Sequence, residues 1–318
     1  MGRYAARRLL IALPVLFVIS IVDFAFIHLA PGDPLQALLP PEAAQSGGGI
    51  DDLYARYGLS GSLPVQYVRW VGEILQGNFG TSFRNGQPAT TLIGNALPNT
   101  LVLTATAMVL SLLIGVPLGI LSGMRERSVL DEVVTLWSFL FTGIPSFFLA
   151  LMAVFFFAVR LNWFPATGMQ SYDRQGDPVD LIRHLVLPAS VLGVLHAPVY
   201  IRYTRAAILD VMREDYVRTA RSKGLPERRV VGRHALPNAM LPILTLIGLS
   251  LPGLIGSSVL VEQVFAWPGM GTLSIQSALF RDYPVFMGVA LLYAAAVLVS
   301  SLVTDLAYAL VNPRIRYA

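Results

Sequence analysis

Six apolar stretches, each long enough to cross a lipid bilayer as a helix, constrain the fold of this chain most strongly. A helix rises about 1.5 Å per residue, so about 20 apolar residues span roughly 30 Å of hydrocarbon. Only 13% of the residues are charged, about half the share of a soluble protein. We therefore expect an all-α polytopic membrane protein with six transmembrane helices. The stretches lie near 9–30, 100–123, 133–159, 185–208, 241–261 and 285–310.

The basic residues predict the side of the membrane on which each loop lies. Cytoplasmic loops carry an excess of Lys and Arg, and most of the 23 basic residues fall on one side when the N-terminus is placed inside. We therefore expect both termini in the cytoplasm (N-in/C-in) of a multi-pass protein of the cell (inner) membrane. These loops also account for the formal charge of +4 without nucleic-acid binding.

The order of spans and loops predicts four parts of the chain. The first stretch has no small-residue cleavage site, so we expect it to remain as a span. The expected parts are 1–30 (N-terminus and first helix), 31–99 (extracytoplasmic segment), 100–311 (core of five helices with an inner loop at 209–235) and 312–318 (cytoplasmic tail).

The long outer segment is polar and contains three consecutive glycines at 47–49. Apolar residues recur at helical spacing near 65–76, which predicts a short helix there. The segment is either a solvated cap or a docking surface for an external partner.

Six prolines interrupt the predicted spans two to five. An interior proline removes a backbone donor and clashes with the preceding turn, so we expect each to kink its helix. Such kinks favour a bundle around a pathway, with kinked structural helices as the alternative. The prolines are Pro117, Pro145, Pro188, Pro198, Pro242 and Pro252.

Small residues line one face of two predicted spans. Gly115, Gly119 and Gly123 recur every four residues in the second span, which is typical of helices that approach closely in lipid. The fifth span carries a small, mildly polar stretch at 248–258. That stretch suits either a tight helix contact or a wet pore wall.

Few charged residues lie within the spans. Asp23, in the first span, is a functional candidate because a buried carboxylate is costly in a bilayer. A protonated or locally bonded structural role is the alternative. Glu262 and Asp305 lie near the ends of spans five and six, where we expect them to anchor the helix ends at the interface.

The sequence lacks the motifs of a nucleotide-driven or hydrolytic enzyme. It contains no G-x-x-x-x-G-K-[ST] loop, no H-E-x-x-H motif, no G-x-S-x-G elbow and no cysteine. We therefore expect no catalytic residue, no metal site and no cofactor bound by this chain. If the chain moves a solute, the energy is expected to come through a partner.

The inner loop at 202–237 carries the strongest local pattern. About fifteen residues without Gly or Pro precede Gly224 and Pro226, which predicts a helix over 210–224 that ends at the glycine. A second helical piece is expected over 227–234.

This loop allows two interpretations. Its positive charge suits a segment that binds anionic membrane lipid. The small residues Thr219, Ala220 and Ser222 beside the turn also favour a surface on which a protein partner approaches the backbone closely.

The order of residues in the loop resembles the coupling-loop signature of ABC-importer permeases, E-A-A-x3-G-x9-I-x-L-P. The matching residues are Ala220, Gly224, Leu236 and Pro237. Arg218, Thr219 and His234 stand at the positions of the Glu, the first Ala and the Ile. These departures are typical of the dipeptide/oligopeptide/nickel branch, whose D-Y-V-R-T-A-R-x-K-G version occurs here at 215–224.

Motifs along the rest of the chain resemble the same branch, so the resemblance covers nearly the whole sequence. The long segment after the first span is similar to that of its B-type subunits. The motifs are P-G-D-P at 31–34, Y-G-L at 57–59, G-N-F-G-T-S at 77–82, F-A-W-P-G-M-G at 265–271 and N-P-R-I-R at 312–316.

The resemblance implies a type I ABC-importer permease for peptides that works inside a complex. The implied partners are a C-type permease in a heterodimer, two ATPase subunits that bind ATP and Mg, an extracytoplasmic substrate-binding protein and membrane lipid. The loop at 209–235 would contain the coupling helix that docks into an ATPase subunit. The implied coupling residues are Asp215, Tyr216, Arg218, Thr219, Ala220, Lys223 and Gly224.

In a pore built by two permeases, we expect spans three and five to face the axis. The residues that would line this pathway are Ser146, Phe147, Ser250, Ser257 and Ser258. Simple helix packing is the competing interpretation of the same positions.

Other functions remain open on the sequence. Within the branch, the substrate can be a nickel chelate, glutathione or an oligosaccharide. From different classes, the chain can be a self-sufficient channel or ion-coupled carrier that uses Asp23, or a membrane scaffold or sensor.

Overall fold

The structure is a computed structural model, and it describes residues 2–29 and 60–311. Over these ranges the regular structure is helical, apart from one isolated bridge between Thr81 and Pro88. The helices are α1 (Gly2–Leu29), α2 (Leu63–Leu75), α3 (Ala89–Met124), α4 (Val129–Gly143), α5 (Ser146–Ala153), α6 (Pro178–Met212), α7 (Asp215–Ser222), α8 (Glu227–Val230), α9 (Leu236–Val264), α10 (Met270–Leu279) and α11 (Tyr283–Val311). Val154–Arg160 and Val231–Ala235 continue α5 and α8 as π-helical segments.

Four of the described helices are long and apolar enough to cross a membrane. The bent pair of α4 with α5 and its π-helical continuation gives a fifth span if it is counted as one. In α1 the described apolar part, Leu10–Ala25, is shorter than a span. The predicted first span, 9–30, runs past the last described residue of α1, so the total of six stays a prediction. The four long spans are Ala89–Met124, Pro178–Met212, Pro242–Val264 and Tyr283–Thr304.

The third predicted span, 133–159, is two helices and not one. The chain bends by 102° between Val129–Gly143 and Ser146–Arg160. Ile144 has extended backbone angles, φ −79° and ψ 125°, because the ring of Pro145 disfavours the helical conformation of the residue before it. Of the six prolines, this one breaks a helix, whereas α3, α6 and α9 continue through the other five.

The three glycines of α3 pack directly on α6. A Cβ atom built on Gly115 would lie 2.6 Å from Cβ of Tyr200, and one on Gly119 would lie 2.6 Å from Cβ of Thr204. On Gly123 it would lie 2.9 Å from Cγ2 of Ile208. No larger residue fits at this separation, so the predicted close helix contact is confirmed and its partner is α6.

The described chain divides into two compact units. One contains Leu101–Trp267 with 2–5 and 299–311, and its core includes Tyr200, Leu254 and Trp267. The other contains 6–29, 60–100 and Pro268–Leu298.

In the second unit, the predicted short outer helix is present as α2. Its Tyr67 hydroxyl forms a hydrogen bond of 2.8 Å with the hydroxyl of Ser20 in α1. The following G-N-F-G-T-S segment is fixed by the buried carboxylate of Asp282, which accepts a bond from the Ser82 hydroxyl at 2.5 Å and from the Phe83 amide at 2.9 Å. These contacts hold the segment at 77–83 to the start of α11.

Candidate functional site

The segment from α7 to α8, here called the hairpin, forms the candidate functional site. The predicted helix over 210–224 is shorter at its start than expected. Residues up to Met212 belong to α6, and the extended backbone of Glu214 (φ −69°, ψ 146°) separates them from α7. At its other end, Gly224 adopts φ +73°, a left-handed conformation that favours glycine and ends the helix as predicted.

An apolar cluster holds the hairpin together. Val217 and Ala220 project from the same face of α7 because they are three residues apart. Both are buried with Val230 of α8, and Met212 and Leu225 pack around them. Ala220 therefore points into the hairpin and not toward its exterior.

The opposite face of α7 is exposed and polar. The remaining six predicted coupling residues lie on it or at the adjoining turn: Asp215, Tyr216, Arg218, Thr219, Lys223 and Gly224. A Cβ atom built on Gly224 would meet no described atom within 4 Å. The turn is therefore open to close approach from outside.

Local bonds restrict the polar groups of this face only partly. The hydroxyls of Thr219 and Ser222 donate to carbonyls one turn earlier, at 2.9 and 3.0 Å, so neither hydroxyl hydrogen is free for a partner. Asn238, at the start of α9, donates to the Tyr216 hydroxyl at 3.1 Å. The hairpin is thus tied to the helix that follows it.

One ion pair closes the hairpin. The guanidinium of Arg221 contacts the carboxylate of Glu227 at 2.6 and 3.2 Å. This hydrogen-bonded cation holds the pKa of Glu227 below its usual value of 4.5. Because half of the Glu227 side chain is exposed, water screens the pair and its contribution to stability is small.

The five predicted pathway residues occupy different environments. Ser146 is half-buried and Phe147 is exposed, both directly after the break at Pro145. Ser258 is fully buried, and its hydroxyl bonds to the Ile255 carbonyl at 2.8 Å and the Glu262 carboxylate at 3.2 Å. In this conformation Ser258 packs inside the chain.

The other two pathway serines are half-buried on α9. The Ser250 hydroxyl donates to the Leu246 carbonyl at 2.8 Å, so it is satisfied within its own helix. The Ser257 hydroxyl lies 2.8 Å from Nε2 of His196 in α6. No sequence pattern links these two residues, which are 61 positions apart.

The small-residue face of α9 has two kinds of surroundings. Gly248 packs against Thr304 of α11 so closely that a Cβ atom would overlap its side chain. Gly253 and Gly256 have open space, with no described atom within 4 Å of a built Cβ. The stretch therefore combines a tight helix contact at one end with an unoccupied face at the other.

The charged candidates in the spans also differ from each other. Asp23 is buried, and its Oδ2 atom has no hydrogen-bond partner within the described chain. Glu262 is fully buried beside Ser258, so the prediction that it anchors a helix end at the interface is wrong. The side chain of Asp305 lies outside the described residues.

The carboxylate of Asp131 accepts four hydrogen bonds from other described residues, and no sequence pattern had singled it out as a candidate. Asp131, in the first turn of α4, pairs in a bidentate manner with Arg205 of α6. The available signal was Ser128, whose hydroxyl accepts a bond from the Asp131 amide at 3.3 Å, the spacing of a helix cap before an apolar run. That pattern predicts a helix start but not the distant arginine.

Several bilayer-length helices in close, glycine-mediated contact define an all-helical polytopic membrane protein, and its fold resembles that of solved ABC-transporter chains. A chain of the inward-facing MetNI methionine ABC transporter has a TM-score of 0.56 and 21% identity, and the match covers 70% of this chain and 96% of that one. An amino acid ABC transporter has a TM-score of 0.53 and 19% identity, covering 69% and 94%. At these identities the likeness concerns the fold.

The chain belongs to the family of binding-protein-dependent transport system inner membrane components. Residues 115–317 match that family, and residues 1–104 match the N-terminal part of such membrane components. The chain is therefore an inner-membrane component of a transport system.

Full-length relatives have related transport roles. The oligopeptide transport system permease protein AppB of Bacillus subtilis is 42% identical over the whole of both chains. The glutathione transport system permease protein GsiC of Salmonella paratyphi A is 37% identical over the same extent. The dipeptide transport system permease protein DppB of Alkalihalophilus pseudofirmus is 36% identical over 99% of both chains.

Proposed function

We propose that this chain is a permease subunit of an ATP-binding-cassette importer for di- and oligopeptides and forms half of its translocation pathway. The observation that carries the proposal is the hairpin, which buries its apolar face internally and leaves a charged face and an open glycine turn to the outside. Full-length similarity to permeases named for oligopeptides and dipeptides supports the substrate class.

In the proposed complex this chain binds no nucleotide. Two ATPase subunits hold ATP and Mg, a C-type permease completes the pore, and an extracytoplasmic binding protein delivers the peptide. Both termini and the hairpin lie in the cytoplasm, with α1 as the first of six spans. The excess of basic residues in these segments supports that orientation.

The proposed role of the hairpin is mechanical. A short rigid helix seated in a cleft of an ATPase subunit moves with that subunit when ATP binds, and so it shifts the helices on either side. Asp215, Tyr216, Arg218, Thr219 and Lys223 would contact the ATPase, and Gly224 would allow its close approach. Ala220 would support the helix from inside.

The proposed pathway is lined by the α5 and α9 positions predicted from sequence. Ser146, Phe147, Ser250 and Ser257 are partly or largely exposed in the single chain, which supports access from a central space. Ser258 would reach that space only if α9 rotates, because it is now buried against Glu262.

Replacing Gly224 tests the coupling role. In vesicles that contain the permease pair, the ATPases and the binding protein, we expect Gly224→Trp to reduce ATP-dependent uptake of a labelled dipeptide by at least about tenfold. The bulky side chain would hold the ATPase away from the turn. Gly176→Trp is the matched control, because Gly176 has φ +85° and equally open surroundings in the loop before α6.

Two outcomes would contradict the proposal. Uptake that survives Gly224→Trp as well as it survives Gly176→Trp would remove the hairpin from the coupling path. Uptake by vesicles that hold this chain alone, without ATP, would instead support a channel or an ion-coupled carrier.

A further inference from the structure

The buried carboxylate of Asp131 joins the three helices α3, α4 and α6 close to the hairpin. Asp131 of α4 is only 4% exposed. Arg205 donates to both of its oxygens, from Nε to Oδ1 at 2.6 Å and from a terminal nitrogen to Oδ2 at 2.8 Å. The hydroxyl of Ser122 in α3 donates to Oδ1, and the backbone amide of Arg127 donates to Oδ2 at 2.9 Å.

These bonds lie at the end of the glycine contact between α3 and α6. Gly115, Gly119 and Gly123 place the backbone of α3 against α6 over about two turns, and Ser122 directly precedes the last of these glycines. The glycines contribute no side chains to this contact, so Tyr200, Thr204 and Ile208 of α6 lie directly against the backbone of α3. Such tight packing resists sliding of one helix along the other. The carboxylate then fixes the start of α4 to both.

The packed ends of α3, α4 and α6 are continuous with the hairpin. Arg205 lies two turns before the end of α6, and Met212, the last residue of α6, packs into the apolar cluster of the hairpin. Arg213, directly after it, reaches back to Glu126 in the turn between α3 and α4 at 3.4 Å. A movement of the hairpin would therefore act directly on these helix ends.

We propose that Asp131 is a positioning residue that locks the ends of α3 and α6 and the start of α4 into one rigid block, which carries movement of the hairpin to the transmembrane helices. This inference rests on the proposed importer function. Asp131 touches neither substrate nor nucleotide in this scheme, and it acts through Arg205.

The chemistry of the pair favours positioning over simple stabilisation. Apolar residues of similar volume often stabilise a protein as well as a buried ion pair does. An ion pair adds direction, since the planar guanidinium matches the carboxylate in one orientation. The pair therefore sets the relative rotation of α4 and α6, which apolar packing would leave less defined.

The first test measures coupling in the complete importer. We expect Arg205→Lys, and the double variant Asp131→Leu with Arg205→Met, to lower dipeptide uptake per ATP hydrolysed by at least about fivefold. The ratio is measured on assembled complex, so a lower yield of folded protein does not change it. Arg202→Lys is the matched control, because Arg202 is an exposed arginine on the same helix with one 3.3 Å bond to Thr142.

The second test measures a distance between the end of α3 and α7, first with the pair intact and then with it weakened. The chain has no cysteine, so spin labels can be placed on Arg125→Cys, beside the end of α3, and on Ser222→Cys in α7. We expect their separation to stay the same with and without ATP in the otherwise unchanged chain. In Asp131→Asn we expect the distance distribution to broaden.

The outcomes separate this inference from the proposed function. If the unchanged complex shows no ATP-dependent uptake, the importer function itself fails. If the unchanged complex transports peptide, but the pair variants keep the uptake-to-ATP ratio of Arg202→Lys, or the labels separate on ATP binding, the rigid block is disproved and the importer function stands.

Discussion

Two carboxylate–arginine pairs in this protein have the same chemistry and different surroundings. Asp131 and Arg205 meet inside the bundle, where the carboxylate is almost fully buried and accepts bonds from two neighbouring helices and from the turn before its own helix. Glu227 and Arg221 meet at the surface of the hairpin, where half of the Glu227 side chain is in water. Burial, and not the pairing itself, decides how much each bond contributes.

The two regions are also held together by different kinds of contact. In the bundle, polar contacts fix the mutual orientation of helices. In the hairpin, the apolar cluster of Val217, Ala220 and Val230 holds the structure, and most charged side chains project outward. The exposed charges of the hairpin suit the partner surface that we propose there, and the buried pair suits the rigid block that we propose in the bundle.

The largest expected loss of stability comes from removing one partner of the buried pair. Arg205→Met leaves the Asp131 charge without its cation, and we expect it to lower the free energy of unfolding by about 3 kcal/mol, the low end for such a break. Bonds from Ser122 and Arg127 remain and limit the loss. Reversible denaturation of the purified complex in detergent measures the change.

The double variant Asp131→Leu with Arg205→Met is the control for this stability prediction. It removes the charge together with its partner, so most of the lost stability should return. A double variant as unstable as Arg205→Met alone would mean that packing, and not a stranded charge, causes the loss.

A smaller and local effect is expected in the hairpin. Val217→Ala removes two methyl groups from the buried cluster, and we expect it to make local opening of α7 easier by about 2 kcal/mol. Hydrogen exchange of the α7 amides measures this opening. Thr219→Ala, on the exposed face of the same helix, is the control and should leave the exchange of α7 nearly unchanged. Equal effects of the two variants would show that the cluster does not hold the hairpin.

The smallest effect is expected at the exposed pair. Glu227→Gln should change the stability of the hairpin by less than about 1 kcal/mol. Because Arg221 lowers the pKa of Glu227, the charged form is favoured in the folded state. Its contribution is therefore complete above the usual pKa of 4.5 and is lost as the pH falls below that value.

Exchange of the hairpin amides at pH 7 and pH 4 measures this pH dependence. The original chain should lose slightly more protection than Glu227→Gln over that range. If the original chain loses much of its protection at pH 4 and Glu227→Gln does not, then the exposed pair, and not the apolar cluster, holds the hairpin together.

The sequence alone determined the features that depend on local spacing. Residues close together in the chain predict the bilayer-length apolar stretches, the α2 helix and the end of α7 at Gly224. These features are local because a helix closes its hydrogen bonds within four residues and its length must match the membrane.

The tertiary structure decided which surfaces meet. The bond between Asp131 and Arg205 joins residues 74 positions apart, so no local sequence pattern predicts it. Ala220 lies in the motif predicted to couple to an ATPase, yet packing turns it inward. On α9, Gly253 stays open, whereas Gly248 packs against α11. Helical periodicity groups residues on one face of a helix, but only the neighbouring helices determine whether that face meets protein, lipid or a partner.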